Sequence, residues 1–432
     1  MVTATRPAAS ASETRIGQEV IAVAPRQGAV DLLRLVPGLV ASQHSGEGKA
    51  HQLFLRGFDA VHGQDVELEV AGIPVNQVSH VHALGYADLN FLIPEVVREI
   101  RIAEGSYRAD QGDFAVAGTV RFDLGMAEPG AQVSGTLGQF GQRRLFAGVR
   151  PGESPETFAA AELVQGDGFG PQRAFGRASV LGQAVTEVKG PGERPVRLRA
   201  FFGSYGARFD SPGVVREDDV LAGRRGFFDA TAPGQGGAAT RHQLLLGAEL
   251  PREGATRTRL EAFGVLSTLR LRNNFTGYVR DPRGDGLEQT QDASTAGVRA
   301  EHRRLVPLLD RPLALTLGVG ARRDDIDQAQ RRYRDSDGAY VGDDIDARIV
   351  QTDVFGHGEA ELPLGRWKFL LGGRADALAF DVFDALAFDG TGRARSAFGV
   401  HLGLKAGISR LIAERWQLFA NYGDGFRSPQ AR

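Results

Sequence analysis

The sequence predicts a mainly β fold, a transmembrane antiparallel β-barrel preceded by a small α/β domain suited to sit in the lumen. Three observations predict it. After about Met126, apolar and polar residues alternate in long runs. The links between those runs are alternately short and long. Residues 29–125 instead mix short helical and strand patterns, as a compact α/β unit does.

Composition narrows the alternatives. The 51 basic and 53 acidic residues nearly cancel, which removes the electrostatic case for a nucleic-acid partner. The absence of Cys excludes thiol catalysis, disulfides and Cys-type zinc sites. The 57 Gly residues suit strands that bend and pack closely rather than a helical bundle. No stretch approaches the roughly 18 consecutive apolar residues of a helical membrane span. Met1 is followed directly by Val2-Thr3-Ala4-Thr5-Arg6-Pro7, without the basic and apolar regions of an export signal.

Residues 1–28 are rich in Ala, Ser, Thr and Arg and read as a flexible segment. Asp31-Leu32-Leu33-Arg34-Leu35-Val36 predicts a short helix, opened by Asp31 and stopped by Pro37-Gly38. Short strands are predicted at residues 52–56 and 66–70. Pro94-Glu95 suits a first helical turn, and residues 98–103 then alternate charged with apolar side chains as a strand does.

Beyond Met126 the period is two. Phe398, Val400, Leu402, Leu404, Ala406 and Ile408 alternate with Gly399, His401, Gly403, Lys405, Gly407 and Ser409. Similar runs begin at Gln243, Leu313 and Trp367. Each is expected to last about 8–12 residues, close to what a tilted strand needs to cross a bilayer. Trp367 and Trp416 fall at strand starts, where interfacial aromatics belong. Short links are expected near residues 152–155, 189–194, 251–255, 306–311, 363–366 and 411–414. Longer ones are expected at 207–239, 272–289, 324–346 and 381–395, and this asymmetry places the short links on the periplasmic side. The runs amount to about thirteen strands.

Several segments resemble those of TonB-dependent outer-membrane receptors, in the order of that family. Asp31 to Leu39 looks like its "LLRxVPG" helix, with Leu33, Pro37 and Gly38 as matching positions. Leu55-Arg56-Gly57-Phe58 resembles its "IRG" strand. Ala71-Gly72-Ile73-Pro74-Val75-Asn76 is similar to its "DGxPxN" hairpin, with Ala71 in place of the usual Asp. Ile93 to Gly105 resembles its "IPxxIExIEVxxG" segment and carries Pro94, Glu95, Glu99 and Gly105. Gly118-Thr119-Val120 matches the end of the plug, and Gly425-Phe426-Arg427-Ser428-Pro429 resembles a strand motif from the later half of the barrel.

The resemblance implies a plug domain at 29–125 and a partial barrel at 126–432, incomplete against the roughly 22 strands of such plugged barrels. It also implies that Val2, Thr3 and Ala4 are the tail of a Ton box, which a TonB-type periplasmic partner would capture as an added strand. The implied function is energised uptake of a scarce ligand, a metal chelate such as a siderophore or a cobalamin-like molecule. The implied surroundings are outer-membrane lipid. The alternative expectation is a truncated, non-transporting receptor fragment or pseudogene product. No enzyme activity or cofactor is expected, since no nucleophile–base, phosphate-loop or HExxH pattern occurs.

Five of the nine His precede residue 83: His44, His51, His62, His80 and His82. The His80-x-His82 pair with His62 is a candidate contact for a metal or metal chelate, against the plainer reading as polar loop residues. Arg56, Arg98, Glu95, Glu99 and Glu104 are expected to hold the plug against the barrel wall through buried ion pairs. Asp335-Ser336-Asp337-Gly338 with Asp343-Asp344 lacks the EF-hand order and reads as a solvated acidic loop. Phe227, Phe228, Phe275 and Tyr278 are candidate ligand contacts, against the plainer reading as scattered loop aromatics.

Overall fold

The computed structural model describes residues 10–43, 49–230, 234–251, 256–308, 310–386, 392–412 and 416–431. The first part of the chain forms β1 (Glu13–Gly17), α1 (Gln18–Val23), β2 (Leu39–Ser42), β3 (Gln52–Leu55), β4 (Phe58–Asp59), β5 (Val66–Val70), β6 (Ile73–Pro74), β7 (Val97–Glu104) and β8 (Gly118–Leu124). They build a five-stranded sheet in the order β1-β7-β8-β5-β6 and a three-stranded sheet, β2-β3-β4. The flexible segment predicted up to residue 28 is thus regular over 13–23. The alternation of Thr14 and Ile16 lets β1 add antiparallel to β7, with Ile16 buried opposite Ile100.

The predicted helix at 31–36 is a 3-10 helix over Ala29–Leu35. Asp31 lies in its first turn and accepts the Gln27 and Gly28 backbone N–H groups at 2.8 and 3.2 Å, which satisfies donors that a helix start leaves unpaired. Pro94–Val96 is one 3-10 turn with Pro at its start, running straight into β7.

The second part is one 13-stranded antiparallel sheet joined strand to neighbour in chain order. Its strands are β9 (Gly130–Leu137), β10 (Arg143–Arg150), β11 (Phe158–Gly166), β12 (Phe175–Lys189), β13 (Pro195–Asp210), β14 (Gly236–Pro251) and β15 (Arg257–Asn274). They continue as β16 (Asp285–Leu308), β17 (Arg311–Arg334), β18 (Tyr340–Leu364), β19 (Trp367–Asp384), β20 (Arg393–Ile412) and β21 (Trp416–Gly423). A short helix, α2 (Glu217–Leu221), lies in the link between β13 and β14.

Side-chain parity divides this sheet into two faces. On β20, Phe398, Val400, Leu402 and Leu404 are exposed, while Lys405 and Ser409 on the other parity are buried. On β14, Leu244 and Leu246 face out while Gln243 and Leu245 face in. The outward band is what hydrocarbon accommodates, and the inward face packs on the plug. Leu181, Phe201 and Leu245 of the wall are fully buried in the same hydrophobic core as Leu33, Leu68, Ile93 and Phe122. Trp367 begins β19 and Trp416 begins β21, both exposed, and the Arg410 guanidinium lies 4.8 Å from the Trp367 ring.

Two expectations about lengths need correction. Strands β16, β17 and β18 have 24, 24 and 25 residues, far beyond a bilayer crossing. The long link expected at 324–346 is therefore mostly strand, and only 335–339 separate β17 from β18. Outside the bilayer the strands no longer need an apolar face, and polar cross-strand pairs replace it. Arg332 Nε meets Asp344 at 2.9 Å and Arg331 Nε lies 3.6 Å from Asp343, beside a bulge at Gln330/Arg331. Asp343 and Asp344 are thus strand residues, not part of a solvated loop. Asp335, in the remaining link, accepts a 2.5 Å hydrogen bond from Asn274 Nδ2, and burial pushes its pKa up.

Candidate functional site

Two neighbouring hairpins set the plug's shape. Arg56 (φ 48°) and Gly57 (φ 90°) turn β3 into β4, and Ala71 (φ 49°) and Gly72 (φ 82°) turn β5 into β6. Consecutive positive φ values define a two-residue turn that matches strand twist, so glycine belongs at the second position of each. Asn76, just after the second hairpin, is buried and fastens it. Its Oδ1 accepts from the Leu68 N–H at 2.7 Å, and its Nδ2 donates to the carbonyls of Gly63 and Val66, both at 2.9 Å.

The barrel grips this hairpin through arginines at inward positions. Arg199 of β13 donates to the Ala71 carbonyl at 2.7 Å, and Arg299 of β16 donates to that of Gly72 at 2.8 Å. Arg241 of β14 donates to Pro74 O at 3.0 Å, and Arg322 of β17 to Asn76 O at 2.9 Å. Sequence reasoning missed these four. The signal was present in their parity, since an Arg at a lumen-facing position needs acceptors inside.

The remaining positions singled out in the sequence are distributed as follows. Leu33 is fully buried. Gly38 (φ 74°) follows Pro37, and its carbonyl accepts the Arg56 N–H at 3.2 Å. Pro94 starts the 3-10 turn. Gly105 (φ 89°) donates to Ala117 O at 2.7 Å, and a Cβ on Gly118 would meet the Ala103 carbonyl at 2.5 Å. Glu95 receives Arg144 of β10 at 2.7 Å, and Arg98 reaches Glu156 in the link after β10 at 3.1 Å, so these two join plug to barrel. Arg56 pairs with Glu104, and Glu99 lies near Arg15 and Arg101, so contrary to expectation these three brace the plug internally rather than against the barrel wall. Val2, Thr3, Ala4 and His44 lie outside the described residues.

The structure brings His62, His80 and His82 together around Tyr86. His80 stacks on Tyr86 with ring centroids 4.0 Å apart, and His62 lies 5.0 Å from His82. His82 is also 5.7 Å from Phe275, in the link between β15 and β16, and the Lys49 ammonium is 5.8 Å from the same ring. Loop 79–82 hangs from β16: Gln291 accepts the Val81 N–H, and Gln289 bonds His82 Nδ1, both at 2.9 Å. Gln289 and Gln291 are four and six residues from the β16 end joined by the longer link, so the cluster lies toward the outer side. Phe227 and Phe228 belong elsewhere, packing on each other and on Phe169.

Burial governs the charge of this cluster. It pushes the His80 pKa well below the ordinary imidazole value, with His82 and His62 adding to the effect. His51 is lowered to about 4, first by burial. Lys49 is lowered to about 8 by burial, so it stays mostly cationic at neutral pH. No group of three or more His, Cys, Asp or Glu side chains is arranged to hold a metal ion among the described residues. The arrangement offers two partly exposed ring faces, His82 and Phe275, above the buried His80, Tyr86 and Lys49, which suits the periphery of a planar molecule better than a bare ion.

Comparison with known proteins agrees with this architecture. Residues 6–119 match the family model "TonB-dependent Receptor Plug Domain", and residues 188–432 match "TonB dependent receptor-like, beta-barrel". Among solved structures, the ferric citrate transporter FecA in its unliganded form is similar at a TM-score of 0.80 and 16% identity, over 97% of this chain and 63% of that one. The pyoverdine receptor FpvA of Pseudomonas aeruginosa PAO1 is similar at 0.72 and 13% identity, over 97% and 63%. The ferric yersiniabactin uptake receptor FyuA of Yersinia pestis follows at 0.68 and 13% identity, over 95% and 63%. The chain thus spans a little under two thirds of the length of these structures. With the plug inside a lipid-faced sheet and both family models matched in order, the chain belongs to the TonB-dependent receptors, a family of outer-membrane receptors and transporters, not enzymes.

Proposed function

We propose that this receptor serves the energised uptake of a scarce extracellular metal chelate, siderophore-like or cobalamin-like. The observation that carries the reading is the cluster of His62, His80, His82, Tyr86 and Phe275 toward the outer end of the lumen, where His82 and Phe275 are partly exposed over the buried His62, His80, Tyr86 and Lys49. Each of two imidazoles already spends one ring nitrogen inside the protein: His80 Nδ1 accepts from the His82 N–H at 3.1 Å, and His82 Nδ1 engages Gln289. The partly exposed rings, His82 and Phe275, are the ones proposed to lie against a ligand's surface. The similar structures named for ferric citrate, pyoverdine and yersiniabactin support a ferric chelate as the ligand class. A TonB-type periplasmic protein is the proposed partner, pairing with the segment that holds Val2, Thr3 and Ala4 as an added strand. The ordered match to plug and barrel gives the alternative of a non-transporting fragment no support.

The test is equilibrium binding of iron-55 citrate, pyoverdine and yersiniabactin, and of cyanocobalamin, to outer-membrane vesicles carrying the chain. One of these chelates is expected to bind saturably, and the His82→Ala/Phe275→Ala double variant to weaken it about tenfold or more, the loss of roughly one ring contact per residue. Binding unchanged in that variant, or no binding of any chelate, contradicts the reading.

A further inference from the structure

The wall meets the plug in two unlike ways. Strands β10 to β15 all contribute to the main hydrophobic core, where Phe146, Phe158, Leu181, Phe201, Leu245 and Val265 are buried with plug residues. Among the described residues, β16 to β21 contribute nothing to that core. The apolar contact of β17 and β18 with the plug is a separate, smaller cluster, in which Ile326 and Ile349 meet Val78 and Phe114.

In place of apolar side chains, the inner face of β16 to β18 carries glutamines. Gln289 and Gln291 of β16 stand directly opposite Gln330 and Gln328 of β17, and Gln351 of β18 stands opposite Asp324. From the level of Gln330 to that of Gln351 the face descends about 20 Å into the lumen. The upper glutamines are occupied. Gln289 bonds Gln330 at 2.7 Å and His82 Nδ1 at 2.9 Å, and Gln291 donates to Gln77 Oε1 at 2.6 Å while accepting the Val81 N–H at 2.9 Å. The lower two differ. Gln328 is 3% and Gln351 1% exposed, and among the described residues neither carboxamide has a hydrogen-bond partner on either polar atom. Buried polar groups of this kind are served by water or by a ligand. Other plug contacts of these strands are polar as well: Arg299 with the Gly72 carbonyl, Arg322 with that of Asn76, and Glu359 and Glu361 with Arg108 at 2.9 and 3.2 Å.

The two seams differ in what their opening costs. Parting plug from wall along β10 to β15 exposes buried apolar surface, which is unfavourable in proportion to its area. Along β16 to β18 the groups released are mostly amides and charged pairs, and an amide exchanges one partner for another at small net cost. We propose that the plug separates from the wall first along β16 to β18, and that the ligand passes down this glutamine-lined face, with Gln328 and Gln351 as positioning residues. Their carboxamides donate to and accept from the amide, hydroxyl or carbonyl groups on a chelate's surface. The passage rests on the uptake function proposed above. The order in which the seams open does not, because it is a property of the unliganded chain.

A chain without Cys permits a thiol comparison free of background. Gln351 and Gln243 are a matched pair, 1% and 3% exposed. The register runs from Gln243 of β14 through Val265, Thr295 and Asp324 to Gln351, so the two stand in one row of the sheet on opposite seams. Gln351→Cys and Gln243→Cys, each in the full chain in outer-membrane vesicles without ligand, are labelled with a small charged maleimide as urea is raised. Gln351→Cys should label about tenfold or more faster than Gln243→Cys over the urea range in which the barrel stays protease-resistant. Equal rates, or faster labelling of Gln243→Cys, overturn the proposal.

The passage is tested in cells with Gln328→Leu/Gln351→Leu, which makes the seam apolar. Iron-55 citrate, pyoverdine and yersiniabactin, and cyanocobalamin, are each supplied. Whichever of them the intact chain accumulates should accumulate about tenfold less in the double variant, with binding changed less than twofold. Unchanged accumulation overturns the passage, as does a loss of binding as large as the loss of accumulation. Should the double variant fail to reach the membrane, Gln328→Met/Gln351→Met, closer to glutamine in length, replaces it. An intact chain that accumulates none of the four sinks the uptake reading, while the labelling still decides which seam opens.

Discussion

The Leu68 N–H and the Asn76 Oδ1 meet at 2.7 Å inside the plug, closing the β5–β6 hairpin with a side chain where a backbone acceptor would otherwise stand. Asn76 Nδ2 meanwhile serves the carbonyl of Gly63, in the loop before β5, and that of Val66, the first residue of β5. Asn76→Ala strands these buried groups, each worth about 1–3 kcal/mol when left unsatisfied. Local exchange in β5 and β6 should therefore rise by roughly 3 kcal/mol of opening free energy. Asn76→Asp should be at least as harmful, since it removes both donors and adds a charge. Unchanged protection in Asn76→Ala would show that water replaces the side chain.

Gly72 and Gly57 separate strain from crowding. Both have positive φ, so an alanine at either costs about 1 kcal/mol of backbone strain. Nothing lies within 4 Å of a Cβ at Gly57, whereas one at Gly72 would sit 2.7 Å from Arg299 and 2.9 Å from Arg199. Gly57→Ala should lower plug stability only by the strain. Gly72→Ala should also loosen the arginine grip, seen as faster trypsin cleavage within the plug. Equal protease sensitivity in the two variants would contradict this view of the contact.

Asp113 makes the plug sensitive to acid in an unusual direction. Burial pushes its pKa up to about 6 from 3.8, against the hydrogen bonds from Ser428 and the charge of Arg322, while Asp376 pushes it further up. A carboxyl that binds its proton more tightly when folded stabilises the fold more as pH falls from about 6 to about 4, and no further below that. Exchange in loop 105–117 should slow over that window relative to the intrinsic amide rate. Asp113→Asn should abolish the dependence, and a dependence of opposite sign would contradict the assignment.

The lipid-facing band yields a contrast of two parities on one strand. Leu402 is 70% exposed and faces hydrocarbon, while Ser409 on the other parity is buried in the lumen. Leu402→Arg should cost about 2–4 kcal/mol if it lies near the bilayer midplane. The fraction of chain recovered in a protease-resistant membrane form reports it. Loss no greater than for Glu217→Ala, an exposed position in α2, would place Leu402 outside the bilayer.

The barrel was legible because its period is physical: lipid on one side and a polar lumen on the other impose alternation on every crossing strand, as in β14 and β20. About thirteen strands were expected, and the described residues form thirteen in this sheet. The extensions of β16 to β18 were not legible, because above the membrane neither face need be apolar and pairs such as Arg332–Asp344 look like loop residues in a sequence. Strand β1 was missed because five residues that pair only at a sheet edge carry almost no periodic signal. The convergence of His62, His80 and His82 was suggested by their spacing, but Tyr86 and Phe275 at their side depend on tertiary placement. The grip of Arg199, Arg241, Arg299 and Arg322 on one hairpin likewise joins positions more than a hundred residues away.

The central claim is energised uptake through a chain whose N-terminal segment is pulled from the periplasm. Its most direct measurement compares binding with accumulation of the iron-55 chelate in cells that depend on this receptor, using the intact chain and one lacking residues 1–6. The account predicts that both bind equally, and that only the intact chain accumulates iron, in a manner abolished by a protonophore. Accumulation by the shortened chain, or accumulation indifferent to the protonophore, would contradict it.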